Sequence, residues 1–158
     1  GVYALPEAQL DRFMLKLSIG YPSESEEKTV VMSQLRGHPI DSLEAVCDSR
    51  QIRWLQSVAA ECHVRDAVYD YVIGIVSGTR RAEALQLGAS PRGTLALVRG
   101  AQALAVISGR EFVTPDDVKR LAVSTLAHRM LLAPQARLGE ADTAAVVGDI
   151  LEGVAVPV

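Results

Sequence analysis

The dipeptide Gly-Lys never occurs in this sequence. That absence removes the phosphate loop G-x-x-x-x-G-K-[ST], the commonest self-contained triphosphate cradle. G-x-G-x-x-G, H-E-x-x-H and G-x-S-x-G are missing too, which excludes a dinucleotide fingerprint, a zinc-protease helix and a nucleophile elbow. Aromatic residues are only 4% of the chain, so a core must be built from aliphatic side chains and alanine. The two cysteines, Cys47 and Cys62, form no C-x-x-C unit and have no histidine at zinc spacing, which leaves a reduced, intracellular protein as the simplest reading. The three histidines (His38, His63, His128) are scattered, and no metal site is nominated. No apolar run approaches the roughly 18–20 residues of a membrane span, and no signal peptide is visible. An excess of positive charge is lacking as well: the net charge is −3, which opposes bulk nucleic-acid binding.

What is present is ordinary globular material of 158 residues, 49% hydrophobic and 22% charged, enough for one domain with a real core. The chain starts with Gly1 rather than Met, and its first residues read like the inside of a fold, so a fragment of a longer protein is expected. Pro6 to Arg12 suits a short helix. Phe13, Leu15, Leu17 and Ile19 then alternate with Met14, Lys16 and Ser18, a strand pattern. A lone strand needs a partner from outside the helical remainder. "GYPS" reads as a linker. Ser23 with Glu26 makes a capping box for a helix to about Arg36. Helices follow over Gln51 to about Cys62 and Val64 to about Thr79, the latter with an apolar stripe from Val64 to Val76. That stripe and Trp54 are assigned to the core. "SGTRRAEALQLGAS" is expected as a fourteen-residue loop, with Arg80 and Arg81 as its solvated beginning. A helix over Pro91 to Ser108 and another from Pro115 to about Met130 come next. An extended "LLAPQARLG" and a last helix from about Asp142 to Glu152 complete the chain.

Two of these helix starts differ. Thr114, Pro115, Asp116 and Asp117 obey the dipole rule, with a cap, a proline and two acids. Ser90 and Pro91 also cap and start a helix, but Arg92 stands in its first turn, where the dipole disfavours a cation by roughly 0.3–1 kcal/mol. Arg92 is therefore either a solvated surface residue or a donor fork aimed at an anion, for which helix N-termini are suited. Gly93 and Gly100 loosen the same helix by about 1 kcal/mol each relative to alanine.

Two stretches carry a resemblance. "LPEAQLDRF" (Leu5 to Phe13) and "GASPRGTLALVRGAQALAVISGREFVTPDDVKRLA" (Gly88 to Ala122), about eighty residues apart and in this order, resemble the C-terminal half of a MoxR-type AAA+ ATPase. "LAHRMLLAPQAR" and the closing helix also fit. The resemblance implies a mainly α fold: a helical-bundle lid over 22–158, joined to residues 1–21 as the end of an α/β ATPase core that leaves one N-terminal strand. It implies that Arg12 is an arginine finger acting on the neighbouring subunit's ATP. Arg92, with Pro91 before it, is implied to be the sensor-2 position on the subunit's own ATP, and Tyr21 and Pro22 to lie at the core-to-lid hinge near the adenine. ATP and Mg2+ would be the cofactors, with the phosphate loop and metal ligands upstream, so this stretch would not be catalytic alone. A cytoplasmic ring, six subunits in the family pattern, would remodel or mature partner proteins, including clients with von Willebrand A domains. The chemistry is sound: charge spreading over a transferring γ-phosphoryl group suits a permanently charged planar fork.

Two rival readings remain at this level. A stand-alone helical interaction module that never meets nucleotide would explain the missing phosphate loop, but not "LPEAQLDRF" or the lone strand. A helix-turn-helix around Gly109 to Thr114 is opposed by the acidic balance and by the two aspartates at that helix start.

Overall fold

A computed structural model describes residues 5–139 and 141–157; the first four residues of the expected core segment 1–21 lie outside the described residues. The elements in order are α1 (Glu7–Leu10), α2 (Glu24–Arg36), a 3-10 turn (Pro39–Ser42), α3 (Ser49–Glu61), α4 (Asp66–Arg81), β1 (Leu85–Leu87), α5 (Pro91–Ile107), α6 (Pro115–Leu126), a second 3-10 turn (Ala127–Arg129), β2 (Leu131–Leu132), α7 (Pro134–Leu138) and α8 (Thr143–Gly153). The protein is mainly α, as its patterning requires.

By packing, the chain divides into two units: the described residues of Gly1–Lys16 with Gln56–Val158, and Leu17–Leu55. Helix α3 runs across the second boundary. The division expected after Tyr21 assigns segments to a core and a lid by ancestry rather than by packing, and it stays a proposal.

The larger unit holds the core. Val68, Tyr71, Val72, Ile75 and Val76 of α4 meet Leu97, Ala101 and Ala105 of α5, Val118, Ala122 and Leu126 of α6, and Val147 of α8. The α4 stripe is thus buried as its 3.6-residue spacing demands, except that Ala67 is exposed. Alanines at three consecutive turns of α5 let it lie close to its neighbours, which is how a chain so poor in aromatics still closes a core. Trp54, assigned to the core by default, is exposed instead: it stands on the half of α3 that belongs to the smaller unit, where no described side chain is fully buried.

The expected fourteen-residue loop is shorter than its sequence suggests. Helix α4 continues through Arg81, and Leu85–Leu87 pairs antiparallel with Leu131–Leu132, with a register irregularity between Leu85 and Leu87. Helix α6 ends at Leu126 rather than Met130, its chain passing through a 3-10 turn, and Pro134–Leu138 is a short helix within the stretch expected to be extended. Gln102 of α5 ties down the end of α3 by donating to Cys62 O at 2.8 Å.

Phe13–Ile19 is not a strand in this structure. The segment runs without regular structure, and its first part is fixed by bonds to the helical unit instead of to a strand: Lys16 N donates to Ser124 O at 2.9 Å. Phe13, Met14, Leu17 and Ile19 are exposed. Alternation alone cannot create a ladder, because each strand needs a neighbour to satisfy its backbone.

In the smaller unit, α2 starts on the expected capping box. Ser23 N–H donates to Glu26 Oε2 at 2.8 Å, and the Ser23 hydroxyl receives Glu26 N–H. The Ser23 hydrogen bonds hold the Glu26 carboxyl below its ordinary pKa.

Candidate functional site

The site is assembled around Arg129, a residue that no sequence motif singled out. It closes the 3-10 turn after α6 and is buried, its side chain 2% exposed. A buried guanidinium must satisfy five N–H donors, and this one does. Nε donates to Thr125 O at 2.8 Å. One terminal nitrogen donates to Asp11 O and, at 2.9 Å, to Asp11 Oδ1. The other donates to Phe13 O at 2.7 Å and reaches Met14 O at 3.4 Å. His128 Nε2 also meets Phe13 O at 2.9 Å. The segment Asp11–Met14 is therefore bolted to the helical unit through its backbone.

Asp11 makes a second connection. Its carboxylate accepts from the Ser90 hydroxyl at 2.9 and 3.0 Å. Ser90 is the N-cap of α5, and its oxygen receives Arg92 N–H at 3.2 Å. Pro91 occupies the first helical position. The loop before it is fixed by α4: Ala89 N donates to Thr79 Oγ1 at 3.0 Å, and Arg80 Nε donates to Ala89 O at 2.9 Å. Arg80, expected as a solvated loop end, is thus exposed but employed.

The result is one cavity of about 290 Å³ that Arg12 and Arg92 line together, with Asp11, Met14, Leu95, Ala96, Arg99 and Arg129. Arg12 and Arg92 are exposed, and neither side chain has a hydrogen bond or ion pair among the described residues. The single acid of the wall, Asp11, is taken by Ser90 and Arg129. The cavity is cationic and can hold an anion. It does not fit a metal ion: no cluster of three His, Cys, Asp or Glu that could hold one exists among the described residues.

Tyr21 and Pro22 belong to the smaller unit, and Tyr21 is fully exposed. A second ordered polar cluster stands at the α6 start. Arg110 grips Asp117 at 2.6 and 2.8 Å, and the Thr114 N–H and hydroxyl each donate to the same carboxylate at 2.8 Å. Burial pushes the Asp117 carboxyl up, but these bonds together outweigh it and hold it below its ordinary value. The two aspartates of the "FVTPDDV" stretch are divided accordingly: Asp117 is buried structure, and Asp116 is a surface acid near Lys119.

Residues 77–150 match a family profile described as an AAA lid domain, a stretch that includes α5, α6 and most of α8. Along its length the chain is similar to MoxR-type AAA+ proteins. It is 44% identical over its whole length to the uncharacterized protein YeaC of Bacillus subtilis, of which it covers 49%. It is 36% identical to the chaperone MoxR1 of Mycobacterium tuberculosis, with 99% of this chain matched against 44% of that protein. A crystal structure of a protein from Cytophaga hutchinsonii, described as a candidate ATPase, superposes with a TM-score of 0.87 at 26% identity, covering 99% of this chain and 50% of the other. The chain spans about half the length of the curated relatives it matches. No helix among the described residues is long and apolar enough to cross a membrane.

Proposed function

We propose that this chain supplies the phosphate-reading arginines of a MoxR-like AAA+ ATPase, which couples ATP binding and hydrolysis to the remodelling or maturation of partner proteins. One observation carries the reading: Arg12 and Arg92, remote in sequence, line one cationic cavity, and neither side chain has a partner among the described residues. An arginine in a first helical turn, against the dipole and unpaired, is explained by an anion that sits there. The stand-alone interaction module leaves both arginines without a ligand.

In this proposal the ATP phosphates dock against Arg12 and Arg92, and the phosphate loop and magnesium ligands come from outside the chain. As negative charge grows on the γ-phosphoryl oxygens, the two guanidinium forks gain hydrogen-bond strength. When phosphate leaves, both lose their partner together, and the lid is free to turn. The whole protein is proposed to act as a cytoplasmic ring of six, on clients such as proteins with von Willebrand A domains. Tyr21 and Pro22 are proposed to contact the adenine.

The resemblance assigns Arg12 to a neighbour's ATP and Arg92 to the subunit's own. The shared cavity favours one phosphate group for both, entered from one side of an interface. In the full-length protein, Arg12→Ala and Arg92→Ala should each lower ATP turnover by ~10³-fold or more. Mixing the two variants then separates the arrangements. If Arg92 acts within its subunit and Arg12 across, mixed rings contain intact sites and regain activity. If both act across the same interface, no mixed site is intact and activity stays low. Wild-type turnover in both single variants would remove the arginines from the mechanism.

A further inference from the structure

Arg99 is a third arginine in the wall of the same cavity. Like Arg12 and Arg92 it is exposed, and its side chain makes no hydrogen bond or ion pair among the described residues. Helix α5 contains no acid at all over Pro91–Ile107, so its two cations are uncompensated along their own helix. They are also in phase. Arg92 and Arg99 are seven residues apart, two turns, on one face and separated by about 10 Å along the axis.

The sequence repeats more than the arginine. Each is followed by a glycine, giving Arg92-Gly93 and Arg99-Gly100. A Cβ on Gly93 would lie 3.2 Å from Leu126 Cδ2 and 3.3 Å from Ala89 Cβ; one on Gly100 would lie 3.2 Å from Leu121 Cδ1 and 3.9 Å from Met14 Cε. Both glycines, which seemed only to weaken the helix, let α5 seat closely on α6 and on the clamped segment. Each arginine therefore leaves the helix next to a tight seam, over a floor that includes Met14, Leu95 and Ala96. An apolar floor strengthens charge-assisted bonds formed above it.

A single tetrahedral phosphate cannot be gripped by forks rooted two turns apart as well as an extended polyanion can. We propose that Arg99 is a further ligand-binding residue, which extends the Arg12–Arg92 site so that it takes an extended polyphosphate in preference to a single phosphate group. This rests on the phosphate-reading role proposed above and adds the length of the anion to it. A triphosphate engages all three arginines, and orthophosphate engages only part of the set. Discrimination by charge spacing follows, because each lost arginine contact leaves a solvated cation with no partner rather than a clash.

The test is titration of inorganic tripolyphosphate and of orthophosphate into the 158-residue chain at low salt, followed by calorimetry. Wild type should bind tripolyphosphate more tightly than orthophosphate. Arg99→Ala should weaken tripolyphosphate by about tenfold or more and leave orthophosphate nearly unchanged, with Arg99→Lys between. Arg99 is exposed, so its truncation leaves the core intact; unchanged circular dichroism checks this. If Arg12→Ala and Arg92→Ala weaken tripolyphosphate and Arg99→Ala does not, this inference falls and the preceding one stands. A preference for a hexaglutamate peptide over tripolyphosphate, or no tripolyphosphate binding, overturns the inference. ATP turnover in the full-length protein decides the preceding reading separately.

Discussion

Arg129 and Asp11, 118 residues apart in sequence, form an ion pair at 2.9 Å in which the arginine is buried and the aspartate is 23% exposed. Removing the aspartate leaves a buried guanidinium short of its charge partner. Asp11→Ala should cost about 3 kcal/mol in urea unfolding. It should also speed hydrogen exchange at the Lys16 amide, whose bond to Ser124 O reports the docking of the clamped segment. A cost below about 1 kcal/mol, the range of exposed pairs, would show that the pair does not hold the segment.

Asp117 predicts an acid limb to the stability profile. Its carboxyl sits below its ordinary value in the folded protein, so it binds a proton less readily folded than unfolded. Its contribution is complete above the unfolded value, about pH 4, and fades as pH falls through the lower folded value. Thermal melts from pH 7 to pH 2 should show the loss beginning near pH 4. Asp117→Asn should be less stable at pH 7 and should lose less between pH 5 and pH 2.

The two thiols should react at very different rates. Cys47 is exposed and Cys62 is buried, and burial pushes the Cys62 thiol above its ordinary value. Because the thiolate is the reactive form, a disulfide reagent at pH 8 should modify Cys47 quickly and Cys62 only as the protein opens. Equal rates in the folded state would contradict the packing at the end of α3.

Tyr71 carries a stability surplus that can be recovered. Its ring is 2% exposed in the core, and its hydroxyl is buried without a hydrogen-bond partner among the described residues. Burial first, and the charge of Asp116 second, raise its pKa. An unsatisfied buried hydroxyl is unfavourable, so Tyr71→Phe should leave the melting temperature unchanged or raise it by a few degrees. A clear drop would mean that the hydroxyl has a partner.

The sequence was most legible where local chemistry decides the structure. Ser23, Ser90 with Pro91, and Pro115 start helices where their caps predict, and the α4 stripe is buried nearly as spaced. The candidate site was half legible: motif similarity drew attention to Arg12 and Arg92, but not to the cavity they share. Arg129 was not singled out within "LAHRMLLAPQAR", because its role depends largely on backbone carbonyls, which have no sequence identity. The β1–β2 pairing was missed because three and two residues are too few to show a period. Phe13–Ile19 misled in the opposite sense, since alternation is visible in one chain and a ladder needs two. Trp54 shows that a default assignment to the core fails where a helix crosses from one packing unit into another.

The Arg129 clamp also has a mechanical meaning. Three peptide groups of one short segment, those of Asp11, Phe13 and Met14, hang on one side chain. A tug on Arg12 from a departing anion would therefore fall on this side chain, with His128 and Ser90 beside it, and its root is the turn between α6 and β2. That turn packs against α8 as well as α6. A load path from Arg12 would thus lead away from the cavity, through Arg129, to the helices that this turn packs against.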